Sequence, residues 1–403
     1  PTLDVPAIYS DDQFTQEFQA LFTGDRWSGV AGVFYLDGTS SGAFDTIAGN
    51  LGLAIAAAGS VDTKSFSVFG DFSYDISDRL HVSLGGRYTK DDKDASVLRL
   101  FYLGATPTPY TGGVARPIFA TRTDYTASDT FEKFTPRASI SYDFTEEVTG
   151  YASVSQGFKS GGWDMRGDAA LVPQTVNGYQ PETVTTYELG LKGSAFDRRM
   201  NFASAVFYSD YKDQQITTQQ VATAPAVGIA SVVDNAGAST IYGFELEGSA
   251  FLTDDITANF SLGYLKNEFD EFITRITGTP VDISDTREPQ NSPEWSAYYG
   301  MTWRGDILGG EIRVTPSLSY RSDYHLFDTP DPILDQDGYV LADASVVWIA
   351  PSKQWEVGLF GRNLTDVRYK VGGYSFPGAT YNNSISAFYG PPTTYSARLT
   401  YRF

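Results

Sequence analysis

The chain of 403 residues contains no cysteine and only two histidines. The lack of cysteine excludes disulfides and thiolate metal sites. With so few histidines, no nucleophile–base pair of a hydrolase can be assembled from the sequence. No Walker loop or dinucleotide fingerprint follows a strand-like segment either. We therefore predict no catalytic residue, no cofactor and no metal site, and we interpret the protein as something other than an enzyme.

Long apolar runs are also missing. No stretch of about 18 apolar residues occurs, so the sequence predicts no transmembrane helix. The nearest candidate, residues 47–61, is short and rich in glycine and alanine, and we interpret it as a loop or a small loop helix.

Basic residues are scarce relative to acidic ones: 29 Lys and Arg face 49 Asp and Glu, for a net charge of −20. So acidic a surface argues against nucleic acid as a partner. Many of the carboxylates fall in the long connections described below. There they suit a solvated surface or, alternatively, bridging by divalent ions to a lipopolysaccharide-rich membrane.

The end of the chain has a clear pattern. From Tyr395 to Phe403, odd positions are apolar or aromatic (alanine at 397) and even positions are polar. This period of two is that of a strand with one apolar and one polar face. A terminal strand with aromatic residues near both ends of its apolar face is typical of the closing strand of an outer-membrane barrel.

The same alternation recurs along the chain in segments about ten residues long, as a membrane barrel requires. We predict an all-β, transmembrane antiparallel barrel with fifteen strands present: 14–22, 26–37, 62–76, 79–90, 131–143, 147–160, 182–195, 199–212, 239–251, 255–267, 294–304, 311–321, 338–350, 354–363 and 394–403. Pro316 interrupts one of them, and we expect a bulge there.

The connections alternate in length. Seven are short, and seven are long: 38–61, 91–130, 161–181, 213–238, 268–293, 322–337 and 364–393. Short periplasmic turns and long extracellular loops are the asymmetry of outer-membrane barrels. The first and last strands run in the same direction, so fifteen strands cannot close an antiparallel barrel. We therefore expect strand 14–22 not to pair with strand 394–403.

Several segments resemble TonB-dependent outer-membrane receptors. They are residues 151–162, 181–192, 235–247, 361–369 and 389–392, together with the ending 401–403. They span nearly the whole chain and occur in the order the family has them, so the joint resemblance is strong.

The resemblance implies a barrel of about 22 strands whose lumen holds an N-terminal plug. We expect residues 1–403 to be its C-terminal part, with the plug, the first seven strands and the export signal preceding Pro1, or else one piece of a split barrel. It also implies a bacterial outer-membrane location, energy delivered through TonB, and import of a scarce ligand such as an iron–siderophore complex. Further partners would be membrane lipid, lipopolysaccharide and the barrel-assembly machinery. A passive porin and a structural or adhesive barrel are the alternatives.

Ligand recognition is expected in the long loops, where aromatic and arginine side chains suit planar or anionic ligands. The candidate binding residues are Trp163, Arg166, Tyr374, Phe376 and Tyr381. The resemblance also implies that the assembly machinery reads the C-terminal aromatic residues, here Tyr401 and Phe403. Asn363 and Asp366, at the end of a strand, are interpreted as turn-capping side chains.

Overall fold

The computed structural model describes residues 3–222, 228–274, 279–376 and 384–403, and most of them lie in β-strands. Within those ranges, no helix is both long and apolar enough to cross a membrane. The strands are β1 (Leu3–Asp4), β2 (Ala7–Thr23), β3 (Trp27–Ala48), β4 (Leu53–Asp75), β5 (Leu80–Leu103), β6 (Ala120–Asp143), β7 (Val148–Lys159), β8 (Glu182–Ala195), β9 (Met200–Ala222), β10 (Gly228–Phe251), β11 (Ile256–Thr274), β12 (Val281–Asp282), β13 (Trp295–Ile307), β14 (Gly310–Arg321), β15 (Tyr339–Ile349), β16 (Trp355–Arg362), β17 (Lys370–Phe376), β18 (Ser384–Tyr389) and β19 (Thr394–Tyr401).

Fifteen long strands form one antiparallel sheet, each paired with the next along the chain: β2 to β11, then β13 to β16 and finally β19. The two-residue strands β1 and β12 extend β3 and β11, and β17 pairs with β18 in a separate hairpin. The predicted antiparallel all-β fold and its strand count are confirmed.

The two end strands of this series present free edges. Within the described residues, the strand registers join β2 to β3 and β19 to β16. All 17 residues of β2 are exposed, which is the pattern of a strand that has a neighbour on one edge only. The registers therefore agree with the expectation that strand 14–22 does not pair with strand 394–403.

The sheet has the two predicted faces. In β4 and β5, Val68 lies opposite Tyr88 and Ser67 lies opposite Thr89. Val68 and Tyr88 are exposed on the apolar side. On the other side, Ser67 Oγ donates to Thr89 Oγ1 over 3.0 Å, and Arg87 Nη2 donates to Ser67 Oγ over 2.9 Å. In a barrel the first face meets lipid and the second meets the lumen.

Local hydrogen bonds explain the short turns. In the β4–β5 turn, the Ser77 hydroxyl accepts bonds from Arg79 N and Leu80 N. In the β10–β11 turn, the Thr253 hydroxyl accepts bonds from Asp255 N and Ile256 N in the same way. These hydroxyls replace ladder partners that the turning backbone loses. The tightest turn uses Leu308 and Gly309, both at positive φ, as a two-residue hairpin requires.

Most of the predicted long loops are wrong in extent, because several strands run 22 to 24 residues. Predicted loop 38–61 is largely β3 and β4, paired from Gly38↔Thr63 to Ala48↔Leu53. Segment 47–61 is thus strand with a 3-10 turn at Gly49–Leu51, not a loop helix. Likewise β5 and β6 shorten loop 91–130 to residues 104–119. β9, β10 and β11 enter loops 213–238 and 268–293.

Two local predictions can be compared directly. The prediction of a bulge at Pro316 is wrong, because β14 and β15 stay in register through the pair Pro316↔Ala344. The capping interpretation is confirmed for Asn363, whose Oδ1 accepts from Val367 N over 2.9 Å. It is wrong for Asp366, whose carboxylate accepts from Thr393 N over 3.2 Å and so joins two segments that are 27 residues apart.

Candidate functional site

The most elaborate part of the molecule lies at the end of the sheet opposite the short turns. There β4, β5 and β6 continue beyond the length a membrane requires, and their lumen-side residues form a platform: Ala95, Val97 and Arg99 of β5 with Thr123 and Tyr125 of β6. The connection between β7 and β8, residues 160–181, folds onto this platform. We call it the β7–β8 loop. Burial raises the pKa of Tyr125 to about 12.

The apolar contact of the loop is made by Trp163. This side chain is 7% exposed and packs against Ala95 and Val97, with its ring 6.4 Å from that of Phe131. Lys93 Nζ donates to the Gly161 carbonyl over 2.8 Å, and burial lowers the pKa of Lys93. The predicted binding residue Trp163 is therefore part of the packing that holds the loop on the lumen face.

The charged contact centres on Asp168, which is 2% exposed. Arg122 reaches both of its carboxylate oxygens at 3.2 Å, and Arg99 Nε lies 3.6 Å from Oδ2. Arg99 Nη1 also donates to the Arg166 carbonyl over 2.7 Å. Burial lowers the pKa of Arg99, and the Asp168 carboxylate opposes that shift. Two arginines around one buried carboxylate fix the loop from its far side.

Arg166 remains more accessible. Its Nε and Nη2 bind the two oxygens of Asp164 at 2.9 and 3.1 Å, while 42% of the Arg166 side chain is exposed. The hydrogen bonds that Arg166 donates to Asp164 raise the pKa of Arg166. The guanidinium is thus oriented by a buried partner and still open to solvent, which suits contact with an anionic ligand.

The neck of the loop is closed by a β-bridge between Gly162 and Tyr179, with backbone bonds of 3.0 and 2.8 Å. Just beyond it, Glu182 is 4% exposed and accepts bonds from Tyr211 Oη and Gln215 N. Asn235, from the 235–247 segment, donates to the carbonyl of Gln180 over 2.7 Å. These family-like residues join β8, β9 and β10 at the base of the loop.

The other predicted binding residues lie on the β17–β18 hairpin. Tyr374 is 54% exposed, and its ring stands edge-on to Phe388 at 5.7 Å. Phe376 pairs with Ser384 at the end of β17, but its side chain lies outside the described part, as does the whole of Tyr381. Lys370 N donates to Gln336 Oε1 over 2.6 Å and ties the hairpin to the preceding loop.

The structure therefore groups Trp163 with Arg166 on one loop, and Tyr374 with Phe376 on another. Their role in ligand contact stays a prediction. Asp164 and Asp168, which orient and anchor the first group, were not among the predicted site residues. Their spacing around Arg166, at two residues on either side, was the available signal.

The family model described as TonB dependent receptor-like, beta-barrel, matches residues 4–364. The chain belongs to this family. It is accordingly an outer-membrane barrel protein, and the named proteins described next are receptors. The pesticin receptor of Yersinia pestis is 22% identical over 321 residues, which are 79% of this chain and 42% of that protein. The ferric-pyoverdine receptor PbuA of Pseudomonas sp. (strain M114) is 26% identical over 270 residues, which are 65% of this chain and 28% of that protein.

Solved structures show the same fold. The ferric yersiniabactin uptake receptor FyuA of Yersinia pestis superposes with a TM-score of 0.77 at 19% identity, over 100% of this chain and 56% of that one. The siderophore receptor PiuA of Acinetobacter baumannii gives 0.72 at 18% identity, over 98% of this chain and 56% of that one. The chain thus spans about half the length of the receptors it matches.

Proposed function

We propose that this chain is the C-terminal part of a receptor that imports a scarce metal chelate, an iron–siderophore complex, across the outer membrane. The observation that carries the proposal is the β7–β8 loop, which is anchored on the lumen face and orients Arg166 at the mouth, by which we mean the end of the barrel opposite the short turns. The named functions of PbuA, FyuA and PiuA support iron chelates as the ligand class.

The proposal includes the rest of the barrel. Seven further strands would join the free edges of β2 and β19 and restore an even count. An N-terminal plug would fill the lumen, and TonB would deliver energy through that region. The lumen face described here would then contact the plug as well as the ligand. As a transport protein, the chain would have no catalytic role.

Ligand contact is proposed for the mouth. Arg166 would pair with an anionic group, and Tyr374, Phe376 and Tyr381 would offer aromatic surface, while Trp163 would keep the first loop in place. Lipopolysaccharide would surround the outer rim, and the barrel-assembly machinery would insert the folded sheet. Neither the family match nor the structural neighbours support the porin or adhesive alternatives.

The test is uptake of radioactive iron by iron-starved cells of the source bacterium, supplied as the chelates in their own culture supernatant. Three strains are compared: intact, deleted for the receptor, and restored with the β7–β8 loop replaced by a short Gly/Ser turn. We expect uptake in the intact strain alone and its loss when a protonophore removes the energy source. Uptake that survives the protonophore would indicate a passive pore, and equal uptake in all three strains would refute the proposal.

A further inference from the structure

A second concave site lies away from the β7–β8 loop. It is a cavity of about 600 Å³ at the outer ends of β9 and β11, closed by the two connections that flank β13 and β14. The residues that matter for its chemistry are Asn267, Phe269, Phe272, Arg287, Phe327 and Thr329.

A bulge in β11 shapes the wall of this cavity. Phe269 pairs with Ser239 and Phe272 pairs with Gly237, so the register skips Asp270. Because Ser239 and Gly237 are two residues apart on one face of β10, both phenylalanines point to the same side of the sheet. That side is the lumen face, which also carries Glu245. Their rings meet edge-to-face at 5.2 Å.

Arg287 supplies the positive charge. Its guanidinium carbon lies 5.5 Å from the centre of the Phe272 ring, and its Nη1 donates to Thr329 Oγ1. Its Nε is buried and, among the described residues, has no hydrogen-bond partner. One edge of the guanidinium is therefore held in place while the Nε–H is unused.

Asn267 supplies the complementary group. It lies on β11 two residues before Phe269, on the same face. Its Oδ1 is buried and also lacks a partner within the described ranges. A buried donor and a buried acceptor left open in one cavity are unfavourable unless a ligand or water completes them.

The backbone around the cavity is held in advance. Asp282 Oδ1 accepts bonds of 3.0 Å from both Phe272 N and Ser284 N, and these backbone bonds lower the pKa of Asp282. Ile283 N donates to the Phe272 carbonyl over 2.9 Å, and Glu288 N donates to the Asp328 carbonyl over 2.9 Å. The connection that carries Arg287 is thus tied to β11 on one side and to Asp328 on the other.

We infer that this cavity binds a planar anionic group that carries a hydroxyl or amide donor next to its oxyanion. The oxyanion would accept from Arg287 Nε, the donor would bond Asn267 Oδ1, and the ring would lie against Phe269 and Phe272. An ortho-hydroxybenzoate has all three features. The inference goes beyond the proposed function: in an iron chelate the oxyanion and the deprotonated hydroxyl would bind the metal, so the group bound in this cavity is metal-free.

The experiment measures binding of salicylate to the purified intact receptor by ligand-observed NMR titration. Benzoate, which lacks the donor, is the matched ligand. Arg287→Gln and Asn267→Ala are the test variants, and Arg304→Gln, an exposed arginine of β13, is the control. Heat-modifiable migration in gels verifies that each variant is folded.

We expect saturable salicylate binding that falls at least tenfold in Arg287→Gln and is unchanged in Arg304→Gln. Benzoate should bind the wild type about tenfold more weakly than salicylate, as expected for one lost hydrogen bond. Asn267→Ala should reduce salicylate to the benzoate level without affecting benzoate. Absent binding, or equal salicylate binding by the wild type and folded Arg287→Gln, would overturn the inference, whatever the outcome of the iron-uptake test.

Discussion

Among single residues, Asp168 has the clearest predicted effect, because it is the buried partner of both Arg99 and Arg122. Asp168→Asn removes the charge that compensates two arginines, and breaking a buried ion pair from one side typically costs about 3 kcal/mol or more. We expect amide hydrogen exchange in residues 166–172 to speed up by about 100-fold. Asp124→Asn, at an exposed site on the same strand β6, is the control. Unchanged protection in the Asp168 variant would show that the ion pairs of Asp168 do not hold the loop.

Phe403 offers a second test at this scale. Its side chain is fully exposed and its ring meets Tyr401 edge-to-face at 5.1 Å, at the end far from the mouth. Because it cannot reach a ligand there, we predict that deleting Phe403 lowers the amount of receptor in the outer membrane several-fold and leaves ligand affinity per folded molecule unchanged. Phe403→Trp, which keeps an aromatic end, should restore the level. Immunoblots of outer-membrane fractions measure the amount of receptor in both variants. Normal levels after the deletion would contradict the assembly role.

At the scale of elements, β19 shows which face meets lipid. Ala397 pairs with Leu359 on the apolar face, and Ser396 pairs with Phe360 on the face where Arg398 binds Glu356 at 2.8 Å. An arginine facing lipid near mid-membrane costs about 2–4 kcal/mol, whereas one facing the lumen costs little. We therefore expect Ala397→Arg to lower the free energy of unfolding in lipid vesicles by that amount and Ser396→Arg to leave it nearly unchanged. The reverse order would mean that the sheet is inside out.

The same two faces explain what could be predicted from the sequence. Strand number and face were predictable where one side meets lipid, as in Phe66 to Tyr74, because lipid imposes alternation. Beyond the membrane neither face of β3 and β4 meets lipid, so no alternation is imposed. Gly, Ser and Thr around 38–46 therefore look like a loop, although cross-strand pairing makes them strand. At the mouth, Trp163 and Arg166 were identified from residue type, but the arginines that anchor their loop come from distant β5 and β6. The Asn267 and Arg287 cavity depends on a bulge that leaves no alternation signal.

For the whole molecule, the decisive feature is the pair of free edges on β2 and β19. An unpaired edge in hydrocarbon leaves backbone N–H and C=O groups without water, at several kcal/mol for each group. We therefore propose that further strands join these two edges in the membrane. The half-length match to FyuA is consistent with a receptor that supplies them.

Cysteine cross-linking in the intact receptor, in its own membrane, tests this account most directly, because residues 1–403 contain no cysteine of their own. Phe360→Cys with Ser396→Cys joins register partners of β16 and β19 and serves as the positive control. Ser396→Cys is then combined in turn with cysteine at Thr15, Glu17, Gln19 and Leu21 of β2. A disulfide needs Cα atoms within about 7 Å, so neighbouring strands cross-link and separated strands do not. We predict a disulfide in the control pair and none in the four β2 pairs. A β2–β19 disulfide at the control yield would show that the fifteen strands close on themselves.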